Sequence, residues 1–310
     1  MSEGYGFGKT ILFGEHFVVY GLPAIASALG SKTTAVVENS KSYELVDDRP
    51  ATPGYKVEKY AEQVESNKLI FTACGIDVEK TPVKVTLAGD LIAASGVGAS
   101  AASAAAIARA LDQHFNLGYD DARINEVAYE GERGYHGKPS GIDNTAAVYG
   151  GLIWFVKSLQ GGRNTMDRLR MPNPVEIVLG NTGLTSSTKE VVEDVKKNKE
   201  AHLKEYEKIF SEYTEIVNLA KKALTGGDIK NVGELMDRNH KLLQDITVSC
   251  EELDLLVGIA RQEGAYGAKL TGTGRGGLMV ALTPGKKLQD KVASAIESEG
   301  YIAYKTRIGV

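Results

Sequence analysis

The chain offers little to a partner that is held by bulk charge or bulk hydrophobicity. Its 310 residues carry a net charge of −4 and contain no dense Lys/Arg cluster. Nucleic-acid binding therefore has no compositional support. No apolar run approaches the roughly 20 residues needed to cross a bilayer. Met1 to Lys9 holds no long apolar segment either, so neither a membrane span nor a signal peptide is expected. Cysteine is scarce. Cys74 and Cys250 stand far apart without metal-ligand spacing, which favours reduced core or helix thiols and a cytoplasmic setting. The five histidines show no HxxxH or HxH spacing, so no zinc site is expected. Internal repeats and low-complexity segments are absent. The remainder is ordinary for a globular chain, and the length favours two domains over one.

Against these absences, Gly96-Val97-Gly98-Ala99-Ser100-Ala101-Ala102-Ser103 stands out. It follows two apolar, strand-like runs, Val83–Leu87 and Leu91–Ala94, and opens into an alanine-rich helix running to about Phe115. Small residues let backbone approach a ligand closely, and the first amides of a helix lack intrahelical partners. Together they make an anion site, most often for phosphate. Ser100 is placed to offer a hydroxyl to a metal ion. The same residues also suit a close-packed helix.

The coarse reading of the chain is α+β. Ile11–Phe13 and Phe17–Tyr20 are short apolar runs around Gly14-Glu15-His16, and Thr33–Glu38 is strand-like. Tyr55–Cys74 has helical spacing with Val57, Tyr60, Ala61, Val64 and Leu69 on one side, and Ala122–Glu132 reads as a further helix. Ala146–Tyr149 and Leu152–Val156 read as a hairpin around Gly150-Gly151. The polar stretch 158–174 reads as the boundary between a first domain, 1–160, and a second, 161–310. The second begins with a strand, Val175–Leu179. One long charged helix from Thr188 to about Leu224 follows, then helices over Val232–Gln244 and Cys250–Glu263. The strands Lys269–Thr271 and Leu278–Leu282, a helix to Glu299 and a last strand near Tyr301–Thr306 complete it.

Three glycine-rich segments and two carboxylates carry the chemistry. Gly6-Phe7-Gly8-Lys9-Thr10 approaches a P-loop, but Glu3 stands where that motif needs glycine and no strand precedes it. Lys9 remains as a cation for phosphate. The Gly96 loop also fits a dinucleotide fingerprint, yet no βαβ unit with the required acidic residue follows. Gly272–Gly277 lies between two strand-like runs and is also a tight hairpin sequence. Asp143, in Pro139-Ser140-Gly141-Ile142-Asp143-Asn144, sits in a turn leading to a strand. Glu132 lies near the end of the preceding helix. Phosphoryl transfer needs a metal carboxylate, a group that takes or orients the acceptor proton, and cations for the phosphate charge; Glu132, Asp143 and Lys9 can fill those roles. Taken singly each is ordinary, a turn Asp being most often a cap.

As a set, these segments resemble the GHMP kinases, named for galactokinase, homoserine kinase, mevalonate kinase and phosphomevalonate kinase. The carrying residues are Lys9-Thr10-Ile11-Leu12-Phe13-Gly14-Glu15-His16-Phe17-Val18-Val19-Tyr20-Gly21, then Pro139–Asn144, then Lys269-Leu270-Thr271-Gly272. The Gly-Glu-His segment followed by Val-Val-Tyr-Gly resembles the mevalonate kinase branch. The resemblance implies an N-terminal α/β domain and a C-terminal ferredoxin-like α+β domain with the active site in the cleft between them. It implies ATP and Mg²⁺, a small-molecule alcohol acceptor, and no nucleic-acid or membrane partner; a homodimer is compatible with it. Asp143 matches the catalytic aspartate and Lys9 the lysine beside it. Ser100 and Glu132 match the Mg²⁺ ligands. Ser95, Gly96, Val97, Gly98, Ala99, Ser100 and Ala101 match the ATP-phosphate cradle, and His16 and Thr271 the substrate contacts.

Four departures accompany the match. Gly6-Phe7 replaces the usual Ala-Pro. Val97 and Ala99 replace leucine and the first serine of the phosphate loop. Thr273 and Arg275 stand where alanine and glycine are common. Ser186 stands near the place of an arginine that many mevalonate kinases carry, which leaves Lys157 as the candidate cation for a substrate carboxylate. The expected activity is phosphorylation of the primary alcohol of mevalonate, with another small alcohol, a sugar or a phosphorylated mevalonate, as the alternative. A non-catalytic sensor predicts a lost catalytic residue, whereas all four polar positions are retained. A dinucleotide oxidoreductase explains only the Gly96 loop.

Overall fold

The computed structural model describes residues 2–94, 96–162 and 164–310. The chain divides into two compact units, each made of two chain segments. One comprises Met1–Lys9 and Ala28–Gly150, the other Thr10–Ser27 and Gly151–Val310. The segment 10–27 therefore packs with the second half of the chain.

The first unit uses strands β1 (Ser2–Phe13), β2 (Ala24–Asn39) and β3 (Glu44–Asp47), helices α1 (Tyr55–Glu58) and α2 (Tyr60–Cys74), strand β4 (Val83–Gly89), and helices α3 (Ala99–Phe115), α4 (Asp121–His136) and α5 (Ile142–Tyr149). The sheet is mixed: β2 and β4 pair antiparallel from Thr33↔Gly89 to Asn39↔Val83, and β3 adds parallel to β4. Helix α3 is the centre of the core. Every residue from Ala99 to Ala108 is buried, among Val83, Val85, Leu87, Ile70, Phe71, Val127 and Val148. A helix enclosed on all sides needs side chains of minimal volume, which accounts for its alanines. Strand β1 approaches so closely that a Cβ at Gly4 would strike the Ala106 carbonyl and one at Gly6 the Ala102 carbonyl. The glycines before Lys9 are therefore a strand packing on a helix, and Gly6 in place of alanine follows from that contact.

In the second unit, β5 (Leu152–Val156) pairs with the start of β2 and with β6 (Thr165–Leu169). The rest is β7 (Val175–Asn181), α6 (Thr188–Ala201), α7 (Leu203–Gly226), α8 (Ile229–Asp245), α9 (Glu251–Gln262), β8 (Gly267–Thr271), β9 (Leu278–Leu282), α10 (Lys286–Ser298) and β10 (Ile302–Ile308). The antiparallel order β10-β7-β9-β8, with helices after β7 and after β9, is a split βαββαβ, the ferredoxin-like arrangement. Among the described residues no helix is long and apolar enough to cross a membrane.

Several local expectations need correction. Residues 142–149 are a helix, not a hairpin strand. Gly141 at φ 89 turns the chain and Gly150 at φ 68 ends the segment, and four residues of apolar alternation cannot tell a strand from a buried helix. Phe17–Tyr20 is a 3₁₀ turn. Leu91–Ala94 forms no strand, only a bridge between Ala93 and Ala51. The stretch 158–174 contains β6, which is mostly exposed and so lacks a strand's apolar pattern. The long helix from Thr188 breaks at His202, which caps both α6 and α7 without a glycine or proline to announce it.

The expected buried side of the 55–74 helix is also reversed. Val57, Tyr60 and Val64 are exposed. Gln63, Ser66, Asn67, Ile70, Phe71 and Cys74 face inward. Gln63 donates to Asp47 and Asn67 to the Tyr43 hydroxyl. Ser66 lies directly against Gly134 of α4. Hydrogen bonding and close helix approach, rather than hydropathy, set that face.

Candidate active site

Lys9, the Gly96 loop, Ser100, Glu132 and Asp143 belong to the first unit; His16, Lys157 and Thr271 belong to the second. Within the first, Lys9 leaves the middle of β1 with its side chain 9% exposed. Its Nζ lies 3.1 Å from Asp143 Oδ1. Asp143 is in the first turn of α5, where free amides and the helix dipole favour a carboxylate. The Lys9 amide donates to the Val97 carbonyl at 2.7 Å, tying the strand to the glycine loop. Gly98 sits at φ 69, and a Cβ there would press on Lys9. It also heads α3, whose first turn has no side-chain cap, so its outward amides are available to an anion. Ser95 lies outside the described residues.

Glu132 projects from α4 and is 1% exposed. Burial first, and then the negative charge of Asp143, push its carboxyl up to about 8, against the opposing pull of the Ser100 hydroxyl and Lys9. Among the described residues its Oε1 is buried without a hydrogen-bond partner. A buried carboxylate oxygen without a donor is costly, and a hard cation would satisfy it. Ser100 and Glu132 are both oxygen donors, and Mg²⁺ takes only one or two carboxylates and leaves the remainder to phosphate and water. The residues present therefore fit Mg²⁺. Glu132 and Asp143 line one cavity of about 230 Å³ with His136, Lys138, Pro139, Ser140 and Gly141. His136, not among the expected residues, lies with its Nε2 3.9 Å from Glu132 Oε2. The signal was the spacing of four on one helix, which puts both on the same face.

In the second unit, the corner Gly14-Glu15-His16 is tightly constrained. A Cβ at Gly14, φ 125, would collide with Ala24. His16 is buried with φ 61, a region that costs a non-glycine residue strain. Its Nε2 is 2.6 Å from the Thr273 carbonyl. A carbonyl only accepts, so Nε2 carries the proton and Nδ1 presents a lone pair. Burial lowers the imidazole's pKa, which favours the neutral ring, and among the described residues Nδ1 is buried without a partner. His16 can thus accept from a hydroxyl. Thr271 is more committed: its Oγ1 donates to the Ile11 carbonyl and accepts from the Ile11 amide, beside Thr10 Oγ1.

Lys157 is exposed just past β5, its carbonyl facing Gly21. The departures in the third glycine segment are structural ties. Arg275 holds Asp194 of α6 at 2.7 Å and the Thr247 carbonyl. Thr273 meets Thr188, and Ser186 donates to the Gly274 carbonyl. Ser186 thus closes the loop through its hydroxyl.

Residues 57–151 match the model of the GHMP kinases N terminal domain and residues 216–302 that of the GHMP kinases C terminal domain. The mevalonate kinase of Pyrococcus horikoshii is 34% identical, covering 97% of this chain and 93% of its own. That of Aeropyrum pernix is 31% identical over 94% and 91%. The crystal structure of L. major mevalonate kinase in complex with R-mevalonate matches with a TM-score of 0.94 and 37% identity, over 99% of this chain and 96% of that one. Lactococcus lactis galactokinase complexed with galactose shares the fold at a TM-score of 0.70 and 19% identity. With both domain models matched in order, and relatives of this identity aligned almost end to end, the chain belongs to the GHMP kinases and is a phosphotransferase of the mevalonate kinase-like branch.

Proposed function

We propose that the protein is an ATP- and Mg²⁺-dependent kinase that phosphorylates the primary alcohol of mevalonate. The observation that carries the reading is the Lys9–Asp143 pair in the same unit as a buried carboxylate with an orphaned oxygen. The relatives named mevalonate kinase support the choice of acceptor.

Asp143 accepts the proton of the acceptor hydroxyl as that oxygen bonds to the γ-phosphorus and the bond to the ADP oxygen breaks. Lys9 holds the aspartate in place and offsets the phosphoryl charge. The amides at the start of α3 and the Gly96 loop bind the phosphates without side chains, so Val97 and Ala99 in place of leucine and serine are compatible with the role. Glu132 and Ser100 would hold Mg²⁺. When bound, Mg²⁺ neutralises phosphate charge and orients the transferred group. His16 accepts a hydrogen bond from an acceptor hydroxyl, and Lys157 is the candidate for its carboxylate. Cys74 and Cys250 are both free thiols, which suits a reducing, cytoplasmic setting.

The test is direct. The purified chain is given ATP, Mg²⁺ and separately mevalonate, phosphomevalonate, galactose or homoserine, with ADP release and the phosphorylated product measured. Turnover of mevalonate well above the others is expected. Turnover confined to a sugar or to phosphomevalonate would move the protein to the other small alcohol.

A further inference from the structure

Arg49 has no part in the chemistry above, yet it is 5% exposed and spends its guanidinium on the element that carries Ser100. Its Nε donates to Asp47 Oδ1 at 2.9 Å and its Nη2 to Asp47 Oδ2 at 2.6 Å. This is the planar two-point pairing that only arginine makes. The remaining arm, Nη1, donates to Ser103 Oγ and approaches the Ala99 carbonyl; Ser103 in turn donates to that carbonyl. Asp47 is itself held by Gln63 Nε2 at 3.1 Å and by Lys56.

The following residues grip the other side of the glycine turn. The Ala93 amide donates to the Pro50 carbonyl, the Thr52 amide to the Ala93 carbonyl, and Ala51 bridges Ala93. Residues 47–52 therefore bracket the glycine turn from both ends, at Ala93 before it and at Ala99 and Ser103 after it. We infer that Arg49 is a positioning residue: paired with Asp47, it fixes the first turn of α3, and hence the amides and Ser100, in the geometry that receives the nucleotide phosphates.

This rests on the reading of the Gly96 loop as the nucleotide site. Its charge is matched by Asp47, so Arg49 acts through geometry and adds little net potential to the loop. A loop that must reorganise before it binds loses affinity by the fraction of time it is misplaced. The acceptor contacts on other elements should be indifferent to it.

ADP affinity is the readout, measured by calorimetry on the full chain, with KM for mevalonate alongside. Arg49→Met should weaken ADP at least tenfold and leave the acceptor KM within about twofold. Arg49→Lys should be equally weak, because an ammonium cannot span both Asp47 oxygens and Ser103. Ser103→Ala keeps the ion pair, removes only the bridge to Ala99, and should weaken ADP severalfold; it carries the comparison together with Arg49→Lys if Arg49→Met does not fold. Unchanged ADP affinity in the folded variants, or full rescue by lysine, would overturn the inference. An unsubstituted chain that binds no ADP would instead remove the nucleotide reading on which it stands.

Discussion

Lys269 and Glu15 form an ion pair, Nζ to Oε1 at 2.5 Å, with both side chains wholly buried. Burial pushes the glutamate upward and the lysine downward in pKa, and their mutual attraction works against both shifts. Lys269 also donates to the Leu270 carbonyl, while among the described residues Glu15 Oε2 has no partner. Removing one partner leaves the other's charge stranded. Lys269→Met alone should cost about 3–5 kcal/mol, and Glu15→Leu with Lys269→Met should recover most of that. Denaturant unfolding of the two singles and the double checks it; additive losses would contradict the coupling.

Asp143→Asn keeps the shape and removes the carboxylate proposed as proton acceptor. Turnover should fall by roughly 10²-fold or more, with the circular dichroism spectrum unchanged. A near-normal kcat would remove Asp143 from the chemistry.

Glu132→Gln and Ser100→Ala each take away one oxygen proposed to hold Mg²⁺. Both should raise the Mg²⁺ concentration needed for half-maximal turnover, glutamine more than alanine because it also loses the charge. Titrations superimposable on the parent would place the metal elsewhere.

For Lys157→Ala the expected result is a rise of about tenfold in KM for mevalonate, worth about 1.4 kcal/mol, and a smaller change for ATP. Equal effects on both substrates, or none, would free Lys157 from the role and leave the carboxylate to other donors.

His240 provides a pH test of stability. Its Nδ1 accepts from the Leu270 amide, which puts the proton on Nε2, facing Asp254. Burial leads the causes that lower its pKa to about 4. The unfolded chain, at the usual value near 6.5, takes up a proton first. The contribution of His240 should therefore be whole above pH 6.5 and be lost as pH falls from 6.5 toward 4. Melting temperatures across that window should fall less steeply for His240→Asn than for the parent. Parallel slopes would show that other groups set the acid limit.

What could be read from the sequence was what local pattern controls. Strand β9 was legible because its apolar run is bounded by turns, α8 and α10 because their apolar spacing is helical, and α3 because alanines follow a glycine turn. The structure brings Lys9 to Asp143 and sets Glu132 in the same cavity as Asp143, residues singled out by their match to the family motifs. Arg49 was invisible. Its pairing with Asp47 two residues away looks like any loop charge, and its partner Ser103 lies 54 residues on. The inward face of α2 was unreadable for the same reason: Gln63 and Asn67 are buried by the partners they bond, not by their own hydropathy.

The interleaving of the two units has a practical consequence. A fragment ending at residue 150 would carry the segment 10–27 away from the helices it belongs to. Phe17, fully buried and stacked 3.9 Å from the ring of Tyr213, would lose its neighbour, and the Pro23 carbonyl would lose the Tyr213 hydroxyl. The complementary fragment would open the same apolar surface on α7. No single cut in the chain releases either unit whole, so halves made by truncation should be sticky and poorly folded, and the role proposed for the Lys9–Asp143 pair is best tested in the uncut protein.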